Sequence, residues 1–200
     1  LLARRIKGDL DGVVGAASVG DGASSTGSFH EAMNTAAVER LPLVVVLTNN
    51  QFAYSTPNDR QFACKSLVDR AVGYGVPGYE VDGTDLTATL QVISEAVRNA
   101  REGRGPQLVV ANALRLSGHG EHDDASYVPN QLKNSPLGRD CMDVAEKQLL
   151  SSRVVTESEL LAWKEEAARE VQAAVAQAQQ EPTPDPFIDD WTVYASKEIA

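Results

Sequence analysis

The sequence predicts a doubly wound α/β fold, a mostly parallel sheet with a C-terminal helical tail, and three observations carry that expectation. Short apolar runs without polar alternation recur between Val13 and Val110, as strands buried on both faces require. Stretches with helical spacing separate them, giving the alternation βαβαβαβ. Gly, Pro and Asn clusters mark each change of period.

Composition sets the outer bounds. A chain of 200 residues with 42% hydrophobic and 23% charged content has enough apolar surface for a buried domain, which excludes disordered and collagen-like classes. Its apolar runs, such as Leu41 to Leu47, fall far short of the roughly 20 residues that span a bilayer. With 28 acidic against 18 basic residues, the net charge of −10 repels nucleic acid and anionic membrane surfaces, so neither is an expected partner. Cys64 and Cys141 form no C-x-x-C pair, and no signal peptide is read, so a reducing, cytoplasmic setting is expected.

The elements follow in order. Leu1 to Gly8 reads as the end of an amphipathic helix begun earlier, so the chain is expected to be a fragment of a longer protein. Val13 to Val19 is a small-residue strand that stops at Gly20-Asp21-Gly22. Phe29 to Arg40 places Phe29, Met33, Ala36 and Ala37 at helical spacing, and Leu41-Pro42 ends that helix. Leu43 to Leu47 reads as a buried strand, parallel to the first. A helix over Lys65 to Tyr74, a strand over Gly78 to Val81, a helix over Leu86 to Arg101 and a strand over Gln107 to Val110 complete the pattern. Leu116 to Asn134 is long, polar and rich in Gly, His and Asp, and reads as a functional loop that does not pack as core. Thr156 and Glu159 form a capping box opening a long helix to about Gln179, stopped at Glu181-Pro182. The acidic tail from Thr156 to Asp190 reads as a solvated surface helix, with an acidic docking site as the other reading.

Two strand ends carry the chemistry. Gly20-Asp21-Gly22 sits at the carboxyl edge of a strand, where open α/β sheets bind ligands. Glycines there let the backbone approach a diphosphate, and the carboxylate can hold a divalent cation. A plain Asp-Gly turn is the other reading. The second strand ends in Asn49-Asn50 on the same rim, so Asp21, an Asn50 amide oxygen and a backbone carbonyl supply the hard oxygen donors that Mg²⁺ prefers. Asn-Asn also serves as an ordinary loop cap.

The order of these segments is specific. Gly20-Asp21-Gly22-Ala23, Gly27, Glu31 to Asn34, Ala36-Ala37, Leu41-Pro42 and Asn49 to Pro57 together resemble the thiamine-diphosphate motif of 2-oxo acid dehydrogenases, in the α subunit of their decarboxylating first component. The likeness continues through Asp69-Arg70-Ala71, Gly73 to Gly78, Val81-Asp82-Gly83, Arg115 to Asp124 and Trp191 to Ala195.

The resemblance implies a thiamine-diphosphate-binding fold. It makes Asp21, Asn50 and the Phe52 carbonyl Mg²⁺ ligands, and Gly20, Gly22 and Ala23 diphosphate contacts. His119 matches the loop histidine near the diphosphate and the reacting centre; from its surroundings alone it reads equally as a surface histidine. Residues 1–136 would be the diphosphate-binding half of an N-terminally truncated domain, and residues 137–200 C-terminal helices and tail. Gly120 stands where relatives carry a phosphorylatable serine, so kinase control there is not expected. Ser126-Tyr127 lacks the following arginine, and His122 reads as a solvated loop residue or a proton carrier.

The implied activity is oxidative decarboxylation of a small 2-oxo acid, with acyl transfer to the lipoyl groups of an acyltransferase partner. The α subunit would work in a heterotetramer whose β subunit lends the glutamate that activates the cofactor, so the isolated fragment is expected to be inactive. Tyr54 to Pro57 and Tyr74 to Gly78 look most like the branched-chain 2-oxoisovalerate enzymes. Acetoin-cleaving or transketolase-like subunits, and an inactive truncated binding module, are the alternatives.

Overall fold

The first helix, α1 (Leu2–Lys7), closes on Gly8, whose left-handed backbone (φ 73°) suits a residue without Cβ, and it buries none of its side chains. The computed structural model describes residues 1–183 together with Asp185 and Phe187, so the likeness at Trp191 to Ala195 lies outside the described residues. The chain divides into two compact units, residues 1–145 and 146–200.

The larger unit holds four parallel strands: β1 (Gly15–Gly20), β2 (Leu43–Asn49), β5 (Gly78–Asp82) and β6 (Gln107–Asn112), in the order β1-β2-β6-β5. A separate small hairpin pairs β3 (Phe52–Ala53) with β4 (Thr56–Pro57). The central strands explain their own sequences: β6 is buried from Gln107 to Ala111, and a strand covered on both faces has no polar side to alternate with. By contrast, Ala16, Ala17 and Ser18 of the edge strand β1 are exposed.

Helices cover both faces. On one, α2 (Gly27–Val38) and α3 (Arg70–Tyr74) place Phe29, Met33 and Ala71 against Val45, Leu47, Leu108 and Val110. On the other, α4 (Leu86–Arg101) places Ala96 and Ala100 against Val44, Val81, Val109 and Ala111. Small alanines bring this helix close to the sheet. At its start the Asp85 carboxylate accepts a hydrogen bond from the Ala88 amide at 3.0 Å. The doubly wound parallel sheet is therefore present as expected.

Two expectations change. The helix expected over Lys65 to Tyr74 begins later, because Ser66 is extended and caps a 3₁₀ turn (Leu67–Asp69) through a reciprocal bond with Asp69; α3 follows directly. The loop expected to stay out of the core contributes to it: Ala125 and Val128 are buried with Phe52 and Leu114. The short α5 (Asn130–Lys133) also lies within that loop.

The unit boundary falls inside α6 (Cys141–Ser151). The second unit is dominated by α7 (Glu157–Gln180), which opens with the expected capping box. The Thr156 hydroxyl accepts from the Glu159 amide at 3.3 Å, while the Glu159 carboxylate accepts from the Thr156 amide at 2.8 Å. No side chain of α7 is buried. Among the described residues no helix is long and apolar enough to cross a membrane.

Candidate functional site

Parallel pairing of β1 with β2 puts Gly20 level with Thr48, so the chain leaves both strands at one rim. Asp21 starts the turn, its amide donating to the Thr48 carbonyl at 3.2 Å. Its side chain is only 1% exposed, and the Gln61 Nε2 donates to its Oδ2 at 3.0 Å. No ion pair to Asp21 occurs among the described residues. A carboxylate taken out of water beside a neutral amide is costly to hold as an anion, and a divalent cation is the counter-charge that relieves it. Carboxylate and amide oxygens, such as those of Asp21 and Asn50 at this rim, are donors of the kind a hard cation takes.

The turn has little room. A Cβ on Gly22 would lie 2.6 Å from the Ala53 Cβ, so glycine lets the turn close on β3. Ala23 opens a 3₁₀ turn (Ala23–Ser25), in which the buried Ser24 hydroxyl donates to the Asp21 carbonyl at 2.5 Å.

On the second strand end, the Asn50 Oδ1 accepts from the Phe52 amide at 3.1 Å, folding the chain into an Asx turn. That oxygen keeps a lone pair for another partner. Gln51 and Tyr54 adopt left-handed backbone (φ 74° and 52°), a conformation that costs energy outside glycine and clusters at functional sites. An amide web ties the rim together. Asn58 Nδ2 donates to Asn49 Oδ1 at 2.8 Å and Gln51 Oε1 at 3.1 Å, and Asn49 Nδ2 donates to Asn112 Oδ1 at 2.9 Å. Phe52 is buried among Leu114, Ala125 and Val128, so its ring anchors the hairpin.

His119 lies in a second cluster, joined to the first through Arg115, whose amide donates to the Asn50 carbonyl at 3.2 Å. Arg115 Nη2 lies 3.1 Å from His119 Nδ1. A guanidinium can only donate, so Nδ1 accepts and the neutral ring carries its proton on Nε2. The Tyr54 ring meets the imidazole edge to face at 5.2 Å. Arg115 Nη1 also donates to the Tyr54 carbonyl at 2.7 Å and the Tyr127 hydroxyl at 2.9 Å. Asp123 closes the loop on itself, accepting from the His119 amide at 2.7 Å, the Tyr127 hydroxyl at 2.8 Å and the Ala125 amide at 2.9 Å. Backbone donation from His119 and then Ala125 holds the Asp123 carboxyl below the usual range. A Cβ on Gly118 would sit 1.8 Å from the Asp123 carbonyl oxygen, so only glycine fits. His122 is exposed, with its ring beside Gly120.

A cavity of about 690 Å³ opens at the ends of β2, β5 and β6, lined by Asn49, Glu80, Asn112 and the Ser66-Leu67 turn rather than by Asp21 or His119. The sequence pattern missed Gln61, Arg70, Tyr54, Asp123 and Tyr127 as individual supports. Gln61, Arg70 and Tyr54 act through partners far along the chain, while Asp123 and Tyr127 bond each other within one loop; a motif marked the surroundings of every one of these except Gln61.

A family model described as Dehydrogenase E1 component matches residues 2–187. The chain is 39% identical over 186 residues to the alpha subunit of acetoin:2,6-dichlorophenolindophenol oxidoreductase of Cupriavidus necator, covering 92% of this chain and 55% of that protein. It is 43% identical over 124 residues to the 2-oxoisovalerate dehydrogenase subunit alpha of Bacillus subtilis, covering 59% and 38%. With the pyruvate dehydrogenase E1 component subunit alpha of Porphyra purpurea it shares 32% identity over 165 residues, covering 82% and 48%. The chain thus spans about half or less of the length of these relatives. A match over nearly all of its residues, on a doubly wound sheet with both strand-end motifs on one rim, means that the chain belongs to the dehydrogenase E1 component family.

Proposed function

We propose that this chain is the diphosphate-binding portion of the α subunit of a thiamine-diphosphate-dependent first component, one that decarboxylates a 2-oxo acid and acylates lipoyl groups of a partner. The observation that carries this reading is Asp21, a carboxylate 1% exposed at a carboxyl edge, whose side-chain partner is a neutral amide. Asp21, Asn50 and the Phe52 carbonyl would hold Mg²⁺, and the backbone of Gly20, Gly22 and Ala23 would face the diphosphate.

Thiamine diphosphate, when bound, supplies the carbon nucleophile and the electron sink for decarboxylation. This chain supplies position and protons. Gly22 closes the turn on Ala53, which keeps the diphosphate loop rigid. Arg115 and Tyr54 orient the His119 imidazole with its proton on Nε2, ready to donate to an oxygen at the reacting centre. The β subunit of a heterotetramer would complete the site with its glutamate, so this chain alone is proposed to be inactive. A small 2-oxo acid and a lipoyl-bearing acyltransferase are the remaining partners, and a cytoplasmic setting fits the two free thiols, Cys64 and Cys141.

Titration of thiamine diphosphate into the protein in its native assembly, with and without Mg²⁺, tests the reading. Saturable binding that needs Mg²⁺ and is lost in Asp21→Asn is expected; equal binding without Mg²⁺ would overturn it. The branched-chain type is the substrate class we favour, on Tyr54 to Pro57 and Tyr74 to Gly78. The acetoin-type relative aligned over 92% of the chain favours a second reading, acetoin cleavage. Turnover of 2-oxoisovalerate against acetoin, with lipoyl and dichlorophenolindophenol acceptors in parallel, separates the two.

A further inference from the structure

The end of the Gln61 side chain that reaches Asp21 faces three oxygens: the Thr56 carbonyl at 2.9 Å, Asp21 Oδ2 at 3.0 Å and Asn58 Oδ1 at 3.4 Å. Only an amide nitrogen can donate to them, so the orientation of this amide is dictated by chemistry. The opposite atom, Gln61 Oε1, is buried, and no donor reaches it among the described residues. It lies 3.9 Å from where a Cβ on Gly22 would stand, beside the glycine turn of the candidate site. A buried amide oxygen without a donor is costly, and such orphans call for an explanation by a group that binds there.

We propose that Gln61 is a positioning residue for the cation and diphosphate. Its Nε2 fixes the Asp21 carboxylate for a divalent cation, and its Oε1 is the acceptor for a hydrogen-bond donor that arrives with the ligand, such as a water on the cation. The proposal rests on the reading of Asp21 as a metal ligand. It adds that the second strand's loop, through one amide, sets the carboxylate of the first. Groups that orient a metal ligand from behind commonly change affinity about 10- to 100-fold when removed. Gln61 also braces the hairpin through Thr56, and the two roles predict different measurements: a brace changes stability with and without metal alike, whereas a positioning residue changes metal affinity.

The experiment uses Mn²⁺ alone as the probe, on the protein in its native assembly. Free Mn²⁺ is counted by electron paramagnetic resonance, and melting temperature is read with and without the ion. Wild type, Gln61→Met and Asp21→Asn are compared. We expect Gln61→Met to weaken Mn²⁺ binding at least about tenfold and to lose most of the Mn²⁺-induced rise in melting temperature, while Asp21→Asn abolishes binding. Affinity of Gln61→Met within about twofold of wild type, with binding still abolished in Asp21→Asn, would overturn the role of Gln61 and leave the metal site standing. Unchanged binding in Asp21→Asn would overturn the site itself. Should Gln61→Met not fold, Gln61→Asn takes its place. That amide is too short to reach Asp21 and Thr56 together, and the same two outcomes decide.

Discussion

The Arg70 guanidinium donates to the Ser24 hydroxyl at 2.7 Å and to the Ser25 hydroxyl at 3.1 Å, so the start of α3 clamps the turn that follows β1. Phe62 supports the cation from its ring face, 5.5 Å from the ring centre. Ser24 in turn donates to the Asp21 carbonyl. The backbone expected to meet a diphosphate is thus held by a side chain 46 positions along the chain.

Replacing that fork should loosen the turn. Arg70→Lys keeps the charge but cannot bond both serines from one plane, and Arg70→Ala removes every bond. For a half-buried, charge-assisted cluster the expected loss in Arg70→Ala is about 1–3 kcal/mol, with Arg70→Lys recovering only part of it. Urea unfolding followed by circular dichroism gives the value. Equal midpoints for wild type and Arg70→Ala would remove the clamp as a source of stability.

Asp21→Asn should separate stability from binding. The substituted amide oxygen still accepts from Gln61, while a buried charge is removed, so the ligand-free protein should unfold within about 1 kcal/mol of wild type or later. Mg²⁺-dependent binding of thiamine diphosphate should disappear. A large fall in ligand-free stability would instead give Asp21 a structural role.

Gly118→Ala tests the closure of the loop. Its Cβ would overlap the Asp123 carbonyl, so the backbone must shift and the Asp123 bonds to His119 and Tyr127 should break. Hydrogen exchange should speed up over residues 116–127 and stay unchanged in β2 and β6. Wild-type exchange rates throughout would show that the loop accommodates a methyl group.

Acid should open the same loop. The folded-state pKa of Asp123 lies below its ordinary 3.8, first through the His119 and Ala125 amides, so its contribution is present above about pH 4 and is lost as pH falls through the lowered value. Asp124 is lowered likewise, by bonds from Ser126. Arg115, His119 and Tyr127 are the other ionisable groups packed around Asp123. The tyrosine near-ultraviolet dichroism of wild type should therefore fall below about pH 4, and Asp123→Asn should flatten most of that titration. A change of the same size in both proteins would assign it elsewhere.

His119→Ala should reduce turnover in the full assembly while leaving Mg²⁺ and thiamine diphosphate binding near wild type. The imidazole belongs to the Arg115 cluster, and Asp21 lies in the other. Binding lost together with turnover would place His119 in the diphosphate contacts alone.

What the sequence determined by itself was the sheet and the rim. Apolar runs such as Leu43 to Leu47 cannot be hidden except between two helical layers, and the Gly20-Asp21-Gly22 and Asn49-Asn50 breaks fall where those runs stop. The places of both breaks were therefore legible from local pattern, as was the Thr156–Glu159 capping box, which needs only a spacing of three. Long-range partners were not legible. Nothing local marks Gln61 as the partner of Asp21 or Arg70 as the clamp on Ser24, because each is chosen by how the segment after β2 folds back over the turn after β1. The loop around His119 shows the same limit. Its polar composition suggested a segment outside the core, yet Ala125 and Val128 pack with Phe52 and Leu114, since burial depends on which side chains the fold turns inward and not on the average polarity of a stretch.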